Sequence, residues 1–304
     1  MKDLKNQGGA AINVSSTALS CDLQVSRVVD PVQCRADTNS PCVGRKTSAG
    51  GGRSIIAAAY EGVNRQEHLQ ATINHFDDLS SDYDHYALKR QAYLHAVDRI
   101  ILGEIGRRNP CTCLDVGCGT GRLLSQIKEV FPASRGFGID LSPQMIEICR
   151  NKGLDVTHAD FFAFTPATAF DVVFLEFNVF GYLIVQNGLA GTIEHLRRLV
   201  DDRGCIIFDI LNPLCLTYTR LRQSLPTAID RCWRLLTKNG ECHFTYSVGG
   251  NPVAMGLASP SRVESLFCEA GYTVRRHCIK YADHRWLKIL PRLFTSQFLF
   301  VVSR

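Results

Sequence analysis

Apolar positions within residues 86–105 recur at spacings of three and four, through Tyr93, Val97, Ile100, Ile101 and Ile105. This single stripe predicts a helix that Pro110 ends. Residues 111–116 form a short apolar run and predict a strand. The turn Gly117-Cys118-Gly119-Thr120-Gly121 follows, and Leu123, Leu124, Ile127 and Val130 mark the face of a helix that stops before Pro132. A second unit comes at once. Residues 136–141 read as a strand, and Ser142-Pro143 supplies an N-cap and a first-turn proline for a helix carrying Met145, Ile146 and Cys149, which Gly153 closes.

Residues 154–158, 170–177 and 205–211 predict further apolar strands, with a helix through Leu189, Ile193, Leu196, Leu199 and Val200 ahead of the last. Strands alternating with helices in this way argue for a parallel sheet covered on both faces. The pattern loosens over 214–258. Ser259-Pro260, or the capping box from Ser261 to Glu264, then opens a helix through Val263, Leu266 and Phe267 that Gly271 ends. Residues 272–281 and 294–302 predict two last strands. The linker between them holds Pro291 and is too short for a long crossover helix, so they are expected to pair antiparallel.

Composition refines this picture. The chain has 304 residues, 45% hydrophobic and 21% charged, enough to bury a globular core. No run approaches the ~20 apolar residues of a membrane-spanning helix. The net charge of +5 is concentrated toward the N-terminus, where residues 1–53 carry seven Lys or Arg against four Asp. That leaves no basic stripe on the expected folded part, and nucleic acid is not expected as a partner. Glycine pairs, serines and prolines interrupt any period in 1–53, which reads as a loosely structured tail. The expected domain is 54–304: N-terminal helices in 65–107, a core in 111–211, a variable insertion in 212–258, and a helix and two strands in 259–304. The 13 cysteines have no framework spacing, and no leader-like apolar run starts the chain, so a reducing cytoplasm is the expected location. Cys111 and Cys113 are not joined by further paired cysteines, so no metal is expected.

The chemistry lies in Asp115-Val116-Gly117-Cys118-Gly119-Thr120-Gly121. Glycines between a strand and a helix let backbone approach a ligand, and the helix start presents unpaired N–H groups. Asp140 follows Gly121 by 19 residues at the end of the next strand, where a carboxylate can accept from ribose hydroxyls. A dinucleotide fingerprint requires G-x-G-x-x-G, but here Arg122 fills the third-glycine slot and the spacing is G-x-G-x-G behind an acidic residue.

That spacing resembles the first motif of the class I S-adenosylmethionine-dependent methyltransferases. Gly138-Ile139-Asp140-Leu141-Ser142 is similar to the family's ribose-binding motif, Ala159-Asp160-Phe161 to its adenine-binding pair, and Phe170-Asp171-Val172-Val173-Phe174 to its fourth strand. The resemblance is specific over 111–209 and looser over 76–302, where Phe76-Asp77 and Tyr83-Asp84 resemble the leading helix of small-molecule methyltransferases. It implies an α/β, Rossmann-like doubly wound sheet of seven strands, mostly parallel with an antiparallel last strand. It further implies S-adenosyl-L-methionine as cofactor, with Gly117, Gly119, Gly121 and Asp115 at its methionine end. Asp140 with Leu141 would take the ribose, Asp160 with Phe161 the adenine, and Glu176 would lie close to the sulfonium.

A sulfonium methyl is already activated, so the protein has chiefly to align a nucleophile and exclude water. The expected acceptor is an O, N or C atom of a small molecule. Tyr83, Asn178 and Tyr182 are the substrate-side candidates, and Asn178, Tyr182 and His85 the candidates for a catalytic group, drawn from 75–86 and from a loop over 176–183. Glu176-Phe177-Asn178-Val179 lacks the N/D-P-P-Y/F sequence that resembles amine methylases of bases, and no Pro-Cys nucleophile pair occurs. His158, at a strand end, reads as a rim or core histidine. Lys280, His284, Arg285, Lys288 and Arg292 sit beside apolar residues and read as a solvated rim or a contact for an anionic or lipid-linked substrate. Two alternatives share these motifs: an NAD(P)-dependent oxidoreductase, and a noncatalytic S-adenosylmethionine-binding subunit.

Overall fold

The computed structural model describes residues 65–213, 215, 229, 235–237, 239–248, 251–279 and 295–304. The tail 1–53 and the cluster Lys280 to Arg292 lie outside the described residues. Seven strands form one sheet: β1 (Thr112–Val116), β2 (Arg135–Asp140), β3 (Asp155–His158), β4 (Phe170–Leu175), β5 (Val200–Leu211), β8 (Thr273–Ile279) and β9 (Gln297–Ser303). β6 (Glu241–Val248) and β7 (Asn251–Ala258) pair as a separate hairpin. The sheet order is β3-β2-β1-β4-β5-β9-β8. β1 to β5 pair parallel, whereas β9 runs antiparallel to both β5 and β8.

Successive strand residues feed opposite faces, so a sheet covered on both sides needs near-continuous apolar strands. On one face Leu114, Val173, Ile206, Phe208 and Phe300 pack with Leu189, Ile193 and Leu196 of α6 (Val179–Leu199) and with Val263 and Phe267 of α7 (Pro260–Glu269). On the other, Cys113, Val172, Phe174, Ile207 and Val301 pack with Val97, Ile101 and Ile105 of α3 (Gln91–Arg108) and with Leu123, Leu124 and Ile127 of α4 (Arg122–Val130). α5 (Pro143–Asn151) begins at Ser142, whose hydroxyl accepts from Met145 N at 3.1 Å as the predicted cap. α1 (Arg65–Leu79) lies against α5, α6 and β7, and a short 3-10 turn leads from it to α2 (Tyr83–Leu88).

Three elements differ from the sequence reading. The expected helix over 86–105 is two helices, α2 and α3, broken at Lys89 and Arg90, where the Arg90 guanidinium sits 4.3 Å from the Tyr86 ring centre. The expected loop over 176–183 is helical from Val179, and α6 bends at Asn187 and Gly188. Phe180, Tyr182, Leu183, Ile184 and Val185 are all buried, and a helix covered on every side has no apolar stripe to read. The loosely patterned insertion contains the β6-β7 hairpin, which packs on α6.

Candidate active site

The cradle is held from below. Gly117 N and Cys118 N both donate to Ile139 O, at 2.7 and 3.0 Å, which ties the turn after β1 to the neighbouring β2. Gly119 has φ +54°, and a Cβ there would stand 3.5 Å from the Tyr83 ring on the open side of the turn. Gly121 has φ +74°, and a Cβ there would stand 2.8 Å from Cys149 Sγ, so the first turn of α4 can close on α5 only without a side chain. Asp140 joins the two strand ends: its Oδ2 accepts from Gly119 N at 2.8 Å and its Oδ1 from Ser142 N at 2.9 Å. Burial raises its pKa above the usual carboxylate value, and the N–H groups of Ser142 and Gly119 oppose that rise.

Beside the cradle, Arg122 serves more carboxylates than it can neutralise. Its guanidinium forks onto Asp98 at 2.6 and 2.8 Å and reaches Glu176 Oε1 at 2.5 Å. Asp115 is 2% exposed, and its Oδ1 has no partner; Glu176 Oε2 is likewise buried without one. Burial and the Glu176 charge push Asp115 well up, and burial pushes Glu176 up to about 7 against the pull of Arg122. Two buried carboxylate oxygens without donors therefore lie in the surroundings of Arg122.

The cleft above the cradle holds about 650 Å³ of space, part of it open to solvent. Thr72 and Phe76 of α1 cover it, Tyr83, Phe177 and Tyr182 wall one part, and Leu141, Met145, Ala159 and Phe161 wall another. The Phe76 ring meets those of Tyr83 and Tyr182 at 6.5 and 5.5 Å, and Tyr83 meets Phe177 at 6.3 Å. Burial, with the charges of Glu176 and Asp140, holds the Tyr83 phenol above its usual value and therefore neutral.

The turn from β4 into α6 is strained. Phe177 and Asn178, neither of them glycine, have φ of +64° and +67°. Asp209 and Tyr93 hold it: Asn178 N donates to Asp209 Oδ1 at 3.0 Å, and Phe177 N donates to the Tyr93 hydroxyl at 3.2 Å. Burial raises Asp209 to about 6.

The sequence-predicted residues divide accordingly. Gly117, Gly119, Asp140, Leu141, Phe161, Tyr83 and Tyr182 line the cleft. Gly121 lies in the turn beneath, and Asp115 and Glu176 gather beside Arg122. Asp160 has both oxygens engaged, Oδ1 accepting from Phe162 N at 3.0 Å and Oδ2 paired with Arg65 at 3.5 Å. Asn178 turns into the protein, its Oδ1 accepting from Gln297 Nε2 at 2.5 Å. His85 is exposed on α2 outside the cleft lining. His158 contacts Leu141 O at 2.9 Å, as a rim histidine would. Arg122, Thr72, Tyr93, Gln186 and Asp209 carry no local sequence signal of a place at the site, because their placement depends on long-range packing. Among the described residues no group of His, Cys, Asp or Glu could hold a metal ion, and no helix is long and apolar enough to cross a membrane.

A parallel sheet of this order closed by an antiparallel strand, with a glycine cradle and a ribose-type carboxylate at adjacent strand ends, defines the class I S-adenosylmethionine-dependent methyltransferase fold. Residues 114–206 match the family model of a methyltransferase domain. Residues 114–206 are thus a methyltransferase domain, and in fold and site the chain resembles the class I S-adenosylmethionine-dependent methyltransferases, whose cofactor is S-adenosylmethionine. It is 31% identical over 157 residues to malonyl-[acyl-carrier protein] O-methyltransferase 1 of Ilyobacter polytropus, covering 50% of this chain and 55% of that protein. It is 26% identical over 161 residues to malonyl-[acyl-carrier protein] O-methyltransferase of Acetivibrio thermocellus, covering 51% and 53%. The chain thus spans about half the length of these relatives. In fold it is similar to Burkholderia thailandensis 1,6-didemethyltoxoflavin-N1-methyltransferase, solved with 1,6-didemethyltoxoflavin and S-adenosylhomocysteine. The TM-score there is 0.50 at 13% identity, over 80% of this chain and 90% of that one.

Proposed function

We propose that this chain transfers the methyl group of S-adenosylmethionine to an O, N or C atom of a small-molecule acceptor. The observation that carries the proposal is convergence: the cradle after β1, Asp140 at the end of β2, and Ala159 and Phe161 after β3 border one cleft. The O-methyltransferase names of the two relatives favour oxygen as the acceptor atom.

When bound, S-adenosylmethionine supplies a methyl group already activated on a sulfonium. The unpartnered oxygens of Asp115 and Glu176 fit its cationic methionine end, since each is a buried carboxyl oxygen without a donor that a nearby cation would favour in the ionised form. Gly117 and Gly119 let the backbone come close to that end, and Gly121 closes the turn beneath them. Asp140, with Leu141 beside it, faces the cleft to take the ribose hydroxyls, while Phe161 supplies an apolar wall for the adenine. Tyr83 and Tyr182 are the acceptor-side residues, and with Phe76 and Phe177 they shield the reacting atoms from water. Asn178 and His85 have no part in this reading, one turned into the protein and the other exposed.

Calorimetry with S-adenosylmethionine and S-adenosylhomocysteine tests the proposal. Binding in the micromolar-to-millimolar range is expected for the wild type. Gly119→Arg fills the cradle, Asp140→Ala removes the ribose acceptor, and both should abolish or strongly weaken it. Wild-type protein that binds neither compound, or variants that bind as well as wild type, would count against it.

A further inference from the structure

Gln186 lines the cleft and is 8% exposed, and neither Oε1 nor Nε2 of its amide has a hydrogen-bond partner. It stands four residues beyond Tyr182, within the stretch of α6 that stays helical up to the bend at Asn187. Side chains four apart leave a helix on one face, one turn above the other. Tyr182 borders the same cleft and is one of the acceptor-side residues above.

α1 lays a stripe of its own against this part of α6. His68, Thr72 and Phe76 follow one another at steps of four; His68 Nε2 lies 3.4 Å from Tyr182 O, and the Phe76 ring stands 5.5 Å from the Tyr182 ring. Thr72 and Phe76 line the cleft together with Tyr182 and Gln186. The wall shared by the two helices is therefore aromatic at Phe76 and Tyr182 and polar at Thr72 and Gln186. Thr72 Oγ1 donates to His68 O at 2.8 Å, which commits its single proton within α1. Gln186 keeps a donor and an acceptor, in one plane, that nothing in the protein matches.

Leaving both poles of a buried amide unmatched is costly, and the chemistry of the amide restricts what can relieve that cost. A carboxylate offers acceptors only and would set an oxygen against Oε1. An ammonium offers donors only and would leave Nε2 without an acceptor. A carboxamide or a lactam presents N–H and C=O side by side and satisfies both. The rings of Phe76, Tyr83 and Phe177, packed edge to face along the same cleft, suit a flat aromatic body.

We propose that the methyl acceptor is an uncharged aromatic compound bearing a carboxamide or lactam, and that Gln186 recognises this group through two parallel hydrogen bonds. Nε2 donates to its carbonyl and Oε1 accepts from its N–H. The proposal rests on the cofactor reading above and adds the class of acceptor to it.

The test uses benzamide, and benzoate as its anionic counterpart of the same shape, titrated by calorimetry into the full chain saturated with S-adenosylhomocysteine. Wild type should bind benzamide at least about tenfold more tightly than benzoate, since a site built to pair an N–H discriminates against a group that lacks it. Gln186→Met keeps the length of the side chain without its polar atoms, and Gln186→Glu keeps an acceptor without the N–H; in both, the preference should shrink toward unity. Affinity for S-adenosylhomocysteine itself should stay within about twofold of wild type in Gln186→Met. Unliganded Gln186→Met should melt no lower than wild type, because it removes an unmatched amide, whereas a glutamine with a structural role would give a lower melting point. A wild type without preference for benzamide, or a preference that survives in Gln186→Met, overturns the proposal. A loss of S-adenosylhomocysteine affinity in Gln186→Met also overturns it and gives the amide to the cofactor. Wild-type protein that binds no S-adenosylhomocysteine takes down the cofactor reading and the proposal with it.

Discussion

The Tyr93 hydroxyl donates to Asp209 Oδ2 at 2.7 Å, joining a helix that precedes the cradle to the fifth strand of the sheet, 116 residues away. The same hydroxyl accepts from Phe177 N at 3.2 Å, and Asp209 Oδ1 accepts from Asn178 N at 3.0 Å. Two left-handed residues at the mouth of the cleft are therefore held by one buried pair. Tyr93→Phe removes the acceptor for Phe177 N and one donor to Asp209 while preserving the ring contacts. It should cost about 1–3 kcal/mol of stability, as expected when buried polar groups lose their partner. A lower urea midpoint with an unchanged slope would be the expected result, and an unchanged midpoint would show that the strained turn stands without the pair.

Asp209 also makes stability depend on pH. Burial raises it from an ordinary 3.8 to about 6, so the folded protein favours the protonated form. Its contribution is fully present below about pH 4 and is lost as pH rises through 6. Asp209→Asn cannot ionise. Relative to wild type, its unfolding free energy should fall less between pH 4 and pH 7, and parallel profiles for the two proteins would remove Asp209 as the cause.

The cradle and its neighbours could be read from sequence because each is signalled locally. Strand 111–116, the glycines, the cap at Ser142 and Asp140 all lie within one continuous stretch, and the structure sets them as expected. Positions defined by distant partners could not be read this way. Asn178 has the chemistry of a substrate-side residue, but Asp209 and Gln297 draw it inward from far along the chain. Asp160 looks like a free carboxylate until Arg65 is brought beside it. α1 buries His68, Thr72 and His75, so its inward stripe is polar and escapes a search for apolar period. The hairpin did leave a signal: Gly249-Gly250 separates alternating runs whose Val253, Met255 and Leu257 are buried.

Glu176 predicts a pH dependence for cofactor binding. Its pKa lies at about 7 in the unliganded protein, raised by burial from an ordinary 4.5. A cationic ligand end favours the ionised carboxylate, so binding at pH 6 must release a proton and binding at pH 8 need not. Affinity for S-adenosylhomocysteine, whose ammonium remains positive, should therefore rise with pH up to about 7 and then level, by at most tenfold per pH unit below it. Calorimetry at pH 6 in buffers of different ionisation enthalpy reads the proton directly. Glu176→Gln should flatten the profile, and a profile that stays steep in that variant would assign the proton to another group.

Arg122 provides the last test, because its guanidinium bridges Asp98 and Glu176, with Asp115 close by. Replacing it with methionine keeps an apolar stem but leaves those carboxylates facing one another in a site where only 8% of the Asp98 side chain and 13% of the Glu176 side chain are exposed. Breaking a pair at this depth should cost roughly 3 kcal/mol near pH 8. The sign of the pH dependence follows from Glu176, whose raised pKa climbs further once the guanidinium is gone, so acid relieves the repulsion by protonation. Urea unfolding of Arg122→Met should accordingly show a larger deficit at pH 8 than at pH 5.5. Arg122→Lys restores the charge but not the fork that spans two carboxylates, and should recover only part of the loss. A deficit of equal size at both pH values would point to lost packing of the arginine stem rather than to the excess of negative charge.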